Sequence, residues 1–135
     1  MSRKLICKIQ VELEQMDLLM KRHPGLIDKC HHESPNNIEI DALSSFLHAF
    51  YTGIENIFKR ISLEMDGGFP ESKLWHARLL ENMSQSTKSR PAVISSELRI
   101  KLRGYMDFRH LFRHAYTFQL KWNKMSGLVL ELESI

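Results

Sequence analysis

Five residues able to carry acid–base and phosphate chemistry crowd into one short stretch of this chain. Residues 107–116 read DFRHLFRHAY and contain Arg109, His110, Arg113, His114 and Tyr116. Arginine grips phosphate oxygens through a planar fork that stays charged, and histidine gains and loses protons near neutral pH. Metal-independent RNA cleavage needs a base for the 2'-OH, an acid for the leaving 5' oxygen and cations for the phosphate. The segment supplies all three kinds of group.

The same stretch has the spacing of an amphipathic helix. At about 100° per residue, Arg109, Arg113 and Tyr116 fall on one side beside Tyr105, and the two histidines lie next to them, one turn apart. Apolar residues cover the opposite arc: Phe108, Leu111, Phe112, Ala115, Phe118 and Trp122. We therefore predict one apolar face and one face that concentrates cations, imidazoles and a phenol.

Hydrophobic periodicity elsewhere predicts the helices that must position this segment. Pro24-Gly25 ends the first helix, residues 29–37 form a polar connection, and the glycines and proline of residues 66–70 stop the second helix. No stretch alternates in the manner of a strand. The predicted fold is all-α, an up-and-down bundle of four main helices plus one short helix in a single domain, residues 1–135. The predicted helices span about 3–22, 38–64, 72–83 (the short one), 95–118 and 122–132.

The second predicted helix is long and unusually aromatic. Its rings are expected to form core or a dimer interface rather than a base-stacking platform: Phe46, Phe50, Tyr51 and Phe58. Gly53, at its centre, costs about 1 kcal/mol relative to Ala, which predicts close packing against another helix or protomer. Glu55 is placed to form a salt bridge with a motif arginine and to hold its orientation.

Arg109, His114 and Tyr116 form the pattern Arg-x4-His-x-Tyr, which resembles the HEPN superfamily and, within it, HepT-type ribonuclease toxins. SFLHAFYTGIENIFKRIS (45–62) resembles the long second helix of those proteins, and KLWHARLLENMS (73–84) resembles their short third helix. The likeness covers roughly residues 5–132. The chain departs from the pattern at His110, where a small polar residue is common.

This resemblance implies a fold, a reaction and partners. It implies that His114 is the catalytic base or acid, that Arg109 clamps phosphate, and that two motif helices face each other in a homodimer. It also implies that an MNT-type nucleotidyltransferase antitoxin silences the toxin by attaching AMP to Tyr116, as in a type VII-like toxin–antitoxin module. We expect His110 and Arg113 to bind the RNA substrate, with no metal and no cofactor.

Composition agrees with an RNA partner without demanding one. The formal charge is +3 with a pI near 9.0, and residues 88–124 hold nine Lys or Arg against two acidic residues. Cys7 and Cys30 make no CxxC pattern and are expected to be reduced thiols of a cytoplasmic protein. No signal peptide and no run of about 18 apolar residues is present, so no membrane association is expected.

Several alternatives remain open at this level. His110 and His114 have the i, i+4 spacing of metal ligands but lack an obvious third ligand. Residues 30–33, CHHE, are interpreted as a polar linker, and His48 and His76 as packing or capping residues. The main alternative function is a non-catalytic helical module that partners a nucleotidyltransferase and presents substrate or nucleotide to it. Phosphate binding and phosphate cleavage use the same residue types, so the sequence does not separate the two.

Overall fold

The computed structural model describes residues 2–68, 73–114, 116 and 120–135. Within these ranges the chain forms helices and no strand, which confirms the all-α prediction; a single isolated β-bridge joins Thr87 and Arg90. The helices are α1 (Arg3–Met20), α2 (Leu26–Cys30), α3 (Asn37–Met65), α4 (Trp75–Met83), α5 (Ser96–His114) and α6 (Trp122–Glu131), followed by a 3-10 turn (Leu132–Ser134).

Two predictions about the helices were wrong. The short helix α2 was not foreseen, and it forms because Gly25 adopts a left-handed backbone (φ 76°) that turns the chain, after which Leu26 and Ile27 pack against the core. Helix α5 was predicted to reach residue 118 but ends at His114, and Tyr116 lies beyond it in non-helical backbone. The predicted positions of Ala115 and Phe118 lie outside the described residues.

Helix α3 is the centre of the bundle and packs against α1, α4, α5 and α6. A capping box fixes its start: the Asn36 side chain accepts from the Glu39 N–H at 2.8 Å, and the Glu39 carboxylate accepts from the Asn36 N–H at 3.0 Å. Its aromatic side chains are buried within the single chain, in agreement with the core interpretation: Phe46, Phe50, Tyr51 and Phe58.

The predicted close packing at Gly53 is present, and the partner is α1. A Cβ atom at Gly53 would lie 2.8 Å from Cγ and 2.9 Å from Sδ of Met16. Glycine therefore lets the two helices approach more closely than any other residue would.

Arg90 fixes the loop between α4 and α5. Its Nε and Nη2 donate to the two carboxylate oxygens of Asp66 at 3.0 and 2.8 Å, and its remaining bonds go to the carbonyl oxygens of Gln85, Pro91 and Asn82. The Arg90 side chain is only 3% exposed. This buried guanidinium ties the end of α3 to the loop that delivers α5, the helix that carries the motif.

The two cysteines and the apolar character of the helices can be compared with the sequence predictions. Cys7 is exposed and Cys30 is buried, and both are free thiols. None of the helices in the described ranges combines the length and apolar character required to cross a membrane.

Candidate functional site

Arg109 is buried, contrary to the predicted polar face of the motif helix. It is 4% exposed and Tyr105, one turn earlier, is fully buried, whereas Leu111, predicted on the apolar arc, is 38% exposed. The helical wheel failed because it treats every arginine as solvent-facing. Here the buried polar groups have partners on other helices: Arg109 pairs with Glu55, and the Tyr105 hydroxyl donates to the carbonyl of Leu128 at 2.6 Å.

Glu55 joins three helices at one point. Its Oε1 accepts from Nη2 of Arg109 at 2.8 Å, and its Oε2 lies 2.8 Å from Nδ1 of His76. Nη2 of Arg109 is also 3.0 Å from that Nδ1, and the guanidinium carbon lies 5.2 Å from the centre of the Tyr51 ring. The expected ion pair between Glu55 and a motif arginine is therefore present, on a carboxylate that is 3% exposed. Its partner on α4 was not expected.

His76 is the residue that sequence reasoning missed. It was interpreted as a packing or capping histidine, yet it bonds to the buried carboxylate and keeps a side chain that is 33% exposed. Glu55 and His76 are 21 positions apart, on different helices. No local spacing connects residues so separated, so no pattern within one helix could have revealed the contact.

A pocket of about 500 Å³ opens between α4 and α5 beside this cluster. Four basic side chains line it against one carboxylate, Asp107, which is itself paired with Arg103 at 3.2 Å. The pocket is thus positively charged and holds two imidazoles, a combination suited to a phosphate-bearing ligand. Its lining residues are Lys73, Leu74, His76, Ala77, Arg103, Met106, Asp107, Arg109, His110 and Arg113.

His114 and Tyr116 lie outside the set of residues that line the pocket. His114 is exposed at the end of α5, and its ring centre is 4.6 Å from that of His110, which does line the pocket. Tyr116 is 73% exposed. A single chain therefore brings Arg109, His110 and Arg113 together in the pocket wall. His114 lies outside the pocket, with its ring beside that of His110.

The other candidate ligand sets do not converge. Among the residues that the structure describes, no three His, Cys, Asp or Glu side chains come together as a metal site would require. The linker interpretation was wrong for Cys30, which ends α2 and is buried in the core, whereas His31, His32 and Glu33 follow the helix and are exposed.

His48, on α3, packs against the motif helix with its ring centre 4.9 Å from that of Phe112. Burial lowers the pKa of His48 below its usual value, and the nearby charges of Arg113 and Arg109 lower it further. Burial also raises the pKa of Tyr51, and the neighbouring Glu55 adds to that shift. Both effects keep these two side chains uncharged at neutral pH.

A helical bundle that carries Arg-x4-His-x-Tyr at the end of one helix has the features of the HEPN superfamily. The sequence model of one family, described as HepT-like protein, matches residues 42–135. The chain therefore belongs to the HepT-like family, and the match includes most of α3 together with all of α4 and α5. No curated protein and no solved structure matches the chain significantly.

Proposed function

We propose that this protein is a metal-independent endoribonuclease, the toxin of a type VII-like toxin–antitoxin module that acts on RNA in the cytoplasm. One observation carries the proposal: Arg109, held by a buried carboxylate, forms part of the wall of a basic pocket of about 500 Å³ that also holds imidazoles. Membership in a family of HEPN type supports the same reaction class.

The reaction would be a transesterification within the RNA. The 2'-oxygen attacks the adjacent phosphorus and gives its proton to a base, while the bond from phosphorus to the 5' oxygen breaks and that oxygen receives a proton from an acid. The products are a 2',3'-cyclic phosphate and a 5'-OH. We assign His114 to proton transfer and Arg109 to the charge that develops on phosphorus. His110 and Arg113 would hold the substrate.

We propose that the protein acts as a homodimer. His114 is exposed at the end of α5 and does not line the pocket of its own chain. If two motif helices faced each other across a cleft, the histidines would gain access to a phosphate bound between the two basic pockets. Such a dimer would offer proton-transfer groups on both sides of one substrate.

Tyr116 is proposed as the point of control. Its side chain is 73% exposed, which supports access by an MNT-type nucleotidyltransferase antitoxin. Addition of AMP would add a negative phosphate two residues past the end of the motif helix, and we propose that this phosphate competes with those of RNA for the basic side chains of that helix.

The direct test is cleavage of total tRNA in the presence of EDTA by wild type and by His114→Ala, with His32→Ala as a control that also removes one exposed histidine. We expect wild type and the control to release fragments ending in 2',3'-cyclic phosphate, and His114→Ala to release none. Equal cleavage by His114→Ala would refute the site assignment. Arg109→Ala is a less specific test, because it also leaves the Glu55 carboxylate buried without its guanidinium.

One observation favours a second candidate, the non-catalytic module that partners a nucleotidyltransferase. Nη2 of Arg109 is already bonded within the bundle, so its charge has a structural use. Expression of the chain alone in a bacterial host separates the two: a toxin arrests growth, and a binding module is tolerated. Absence of cleavage by folded wild type whose intact mass shows no added AMP would also favour the module.

A further inference from the structure

We infer that His76, positioned by Glu55, is the base that accepts the 2'-OH proton, and that it acts from the same protomer as Arg109. This inference rests on the proposed function. It assigns to α4 a catalytic group that the motif on α5 does not contain.

The hydrogen-bond chemistry fixes which nitrogen of His76 carries the proton. Glu55 is paired with Arg109 and is therefore a carboxylate, which only accepts hydrogen bonds. An oxygen 2.8 Å from Nδ1 then requires Nδ1 to donate. The other tautomer, in which Nδ1 accepts from Nη2 of Arg109 at 3.0 Å, would place the Nδ1 lone pair 2.8 Å from Oε2 of the carboxylate, so we assign the proton to Nδ1. A neutral His76 ring therefore carries its free lone pair on Nε2.

The location of His76 makes that lone pair accessible from the basic pocket. Nδ1 is engaged inside the bundle, while the side chain is 33% exposed and lines the basic pocket with Arg103 and Arg113. The ring stacks on Trp75 with centres 3.6 Å apart and planes 29° apart, which limits its rotation. Nε2 is thus the nitrogen available to a molecule bound in the pocket.

A carboxylate behind Nδ1 is the arrangement that makes a histidine an oriented base. It holds the tautomer with Nε2 unprotonated and stabilises the imidazolium that forms when the proton arrives. In the part of the chain that the structure describes, His76 is the histidine bonded to a buried carboxylate. His110 contacts His114 instead, and His48 contacts Phe112 outside the pocket.

The reaction then balances with two different histidines. The 2'-OH proton moves to Nε2 of His76 as the bond from the 2'-oxygen to phosphorus forms. The bond from phosphorus to the 5' oxygen breaks, and His114 supplies the proton that this oxygen takes up. His76 and His114 lie on different helices, so their roles can be separated by substitution.

The first experiment reads the tautomer without any RNA. Long-range nitrogen-15 correlation spectra, taken at a pH where the histidines are neutral, should show His76 protonated at Nδ1 in wild type. In Glu55→Gln the amide oxygen can still accept from Arg109, but the amide nitrogen must donate to Nδ1, so the proton should move to Nε2. Assignment uses His76→Gln, whose signals are missing. A wild-type ring protonated at Nε2 would overturn the inference.

The second experiment measures cleavage of ordinary RNA and of RNA whose leaving 5' oxygen is replaced by sulfur, a leaving group that needs no acid. We expect His76→Gln and Glu55→Gln to lose roughly 100-fold or more on both substrates. His114→Ala should lose activity on ordinary RNA and recover it on the sulfur substrate. His32→Gln is the matched control and should cleave both like wild type.

The outcomes distinguish the two levels of proposal. If wild type cleaves and folded His76→Gln stays within threefold of it, or recovers on the sulfur substrate, His76 is not the base and the proposed function stands. If folded, unmodified wild type cleaves neither substrate, the proposed function fails and the role of His76 fails with it. Glutamine at position 76 can still donate to Glu55, so His76→Gln should fold; Glu55→Gln provides the second variant.

Discussion

Removing one partner of the Glu55–Arg109 pair should destabilise the fold far more than removing both. Both side chains are almost completely buried, and their bonded atoms are 2.8 Å apart. Glu55→Met leaves a guanidinium buried without its carboxylate, and Arg109→Met leaves a carboxylate buried without its guanidinium. The double variant removes both charges and fills the space with side chains of similar volume, so much of the loss should be recovered.

The structure sets the size and the asymmetry of these losses. Breaking a buried ion pair by removing one partner costs about 3–5 kcal/mol, and we expect Glu55→Met to fall in this range. Arg109→Met should cost less, because the Glu55 carboxylate keeps its contact with Nδ1 of His76 at 2.8 Å. For a chain of 135 residues, a loss of this size lowers the melting temperature by roughly 10–20 °C.

Urea unfolding at about pH 7.5, followed by both fluorescence and circular dichroism, measures the stability of wild type, the two single variants and the double variant. Asp17→Asn is the control, since it breaks the exposed pair with Lys21 and should change the free energy of unfolding little. Additive losses in the double variant, or a loss below about 1 kcal/mol for Glu55→Met, would show that the pair does not behave as a desolvated unit.

Three more predictions concern the packing of α1 on α3, the loop before α5 and the response of stability to pH. Gly53→Ala should destabilise the protein by about 1 kcal/mol because the new Cβ overlaps Met16. The control Gly127→Ala, in open space on α6, should stabilise it by up to about 1 kcal/mol. Equal effects of the two variants in thermal unfolding would contradict the close approach of α1 and α3 at Gly53. Lysine at position 90 cannot reproduce the bidentate pair and the carbonyl bonds of the Arg90 guanidinium, so Arg90→Lys should lower the free energy of unfolding in urea by about 2–4 kcal/mol. A change within experimental error would mean that the loop does not depend on this guanidinium. The pKa of His48 is lowered from 6.5 by burial and by nearby arginines, so the unfolded chain binds more protons and stability falls as the pH drops below about 6.5. His48→Gln should show a smaller fall in melting temperature between about pH 7.5 and pH 5, and an identical profile would refute this.

Much of the secondary structure could be predicted because it depends on local patterns. The apolar spacing of α1, the Pro-Gly stop after it and the turn that ends α3 act over a few residues, and a helix that follows them needs no distant partner. The one short helix that was missed, Leu26–Cys30, is held by core contacts more than by its own five residues.

The candidate site could be predicted only in part. The Arg-x4-His-x-Tyr spacing identified the helix and its chemical groups, and the choice of Glu55 as an arginine partner was sound because a carboxylate among aromatic residues on a long helix calls for a counter-charge. The prediction that Arg109 lies on a polar outer face was wrong, because a helical wheel of α5 does not include the Glu55 carboxylate on α3.

His76 shows the limit most clearly. Glu55, His76 and Arg109 are separated by 21 and 33 positions and come from three helices. Residue types and spacing along α5 defined what this protein's groups can do with a phosphate. The packing of α3, α4 and α5 defined which of them share a buried charge, because ion pairs and tautomers depend on distances of about 3 Å that no one-dimensional pattern records.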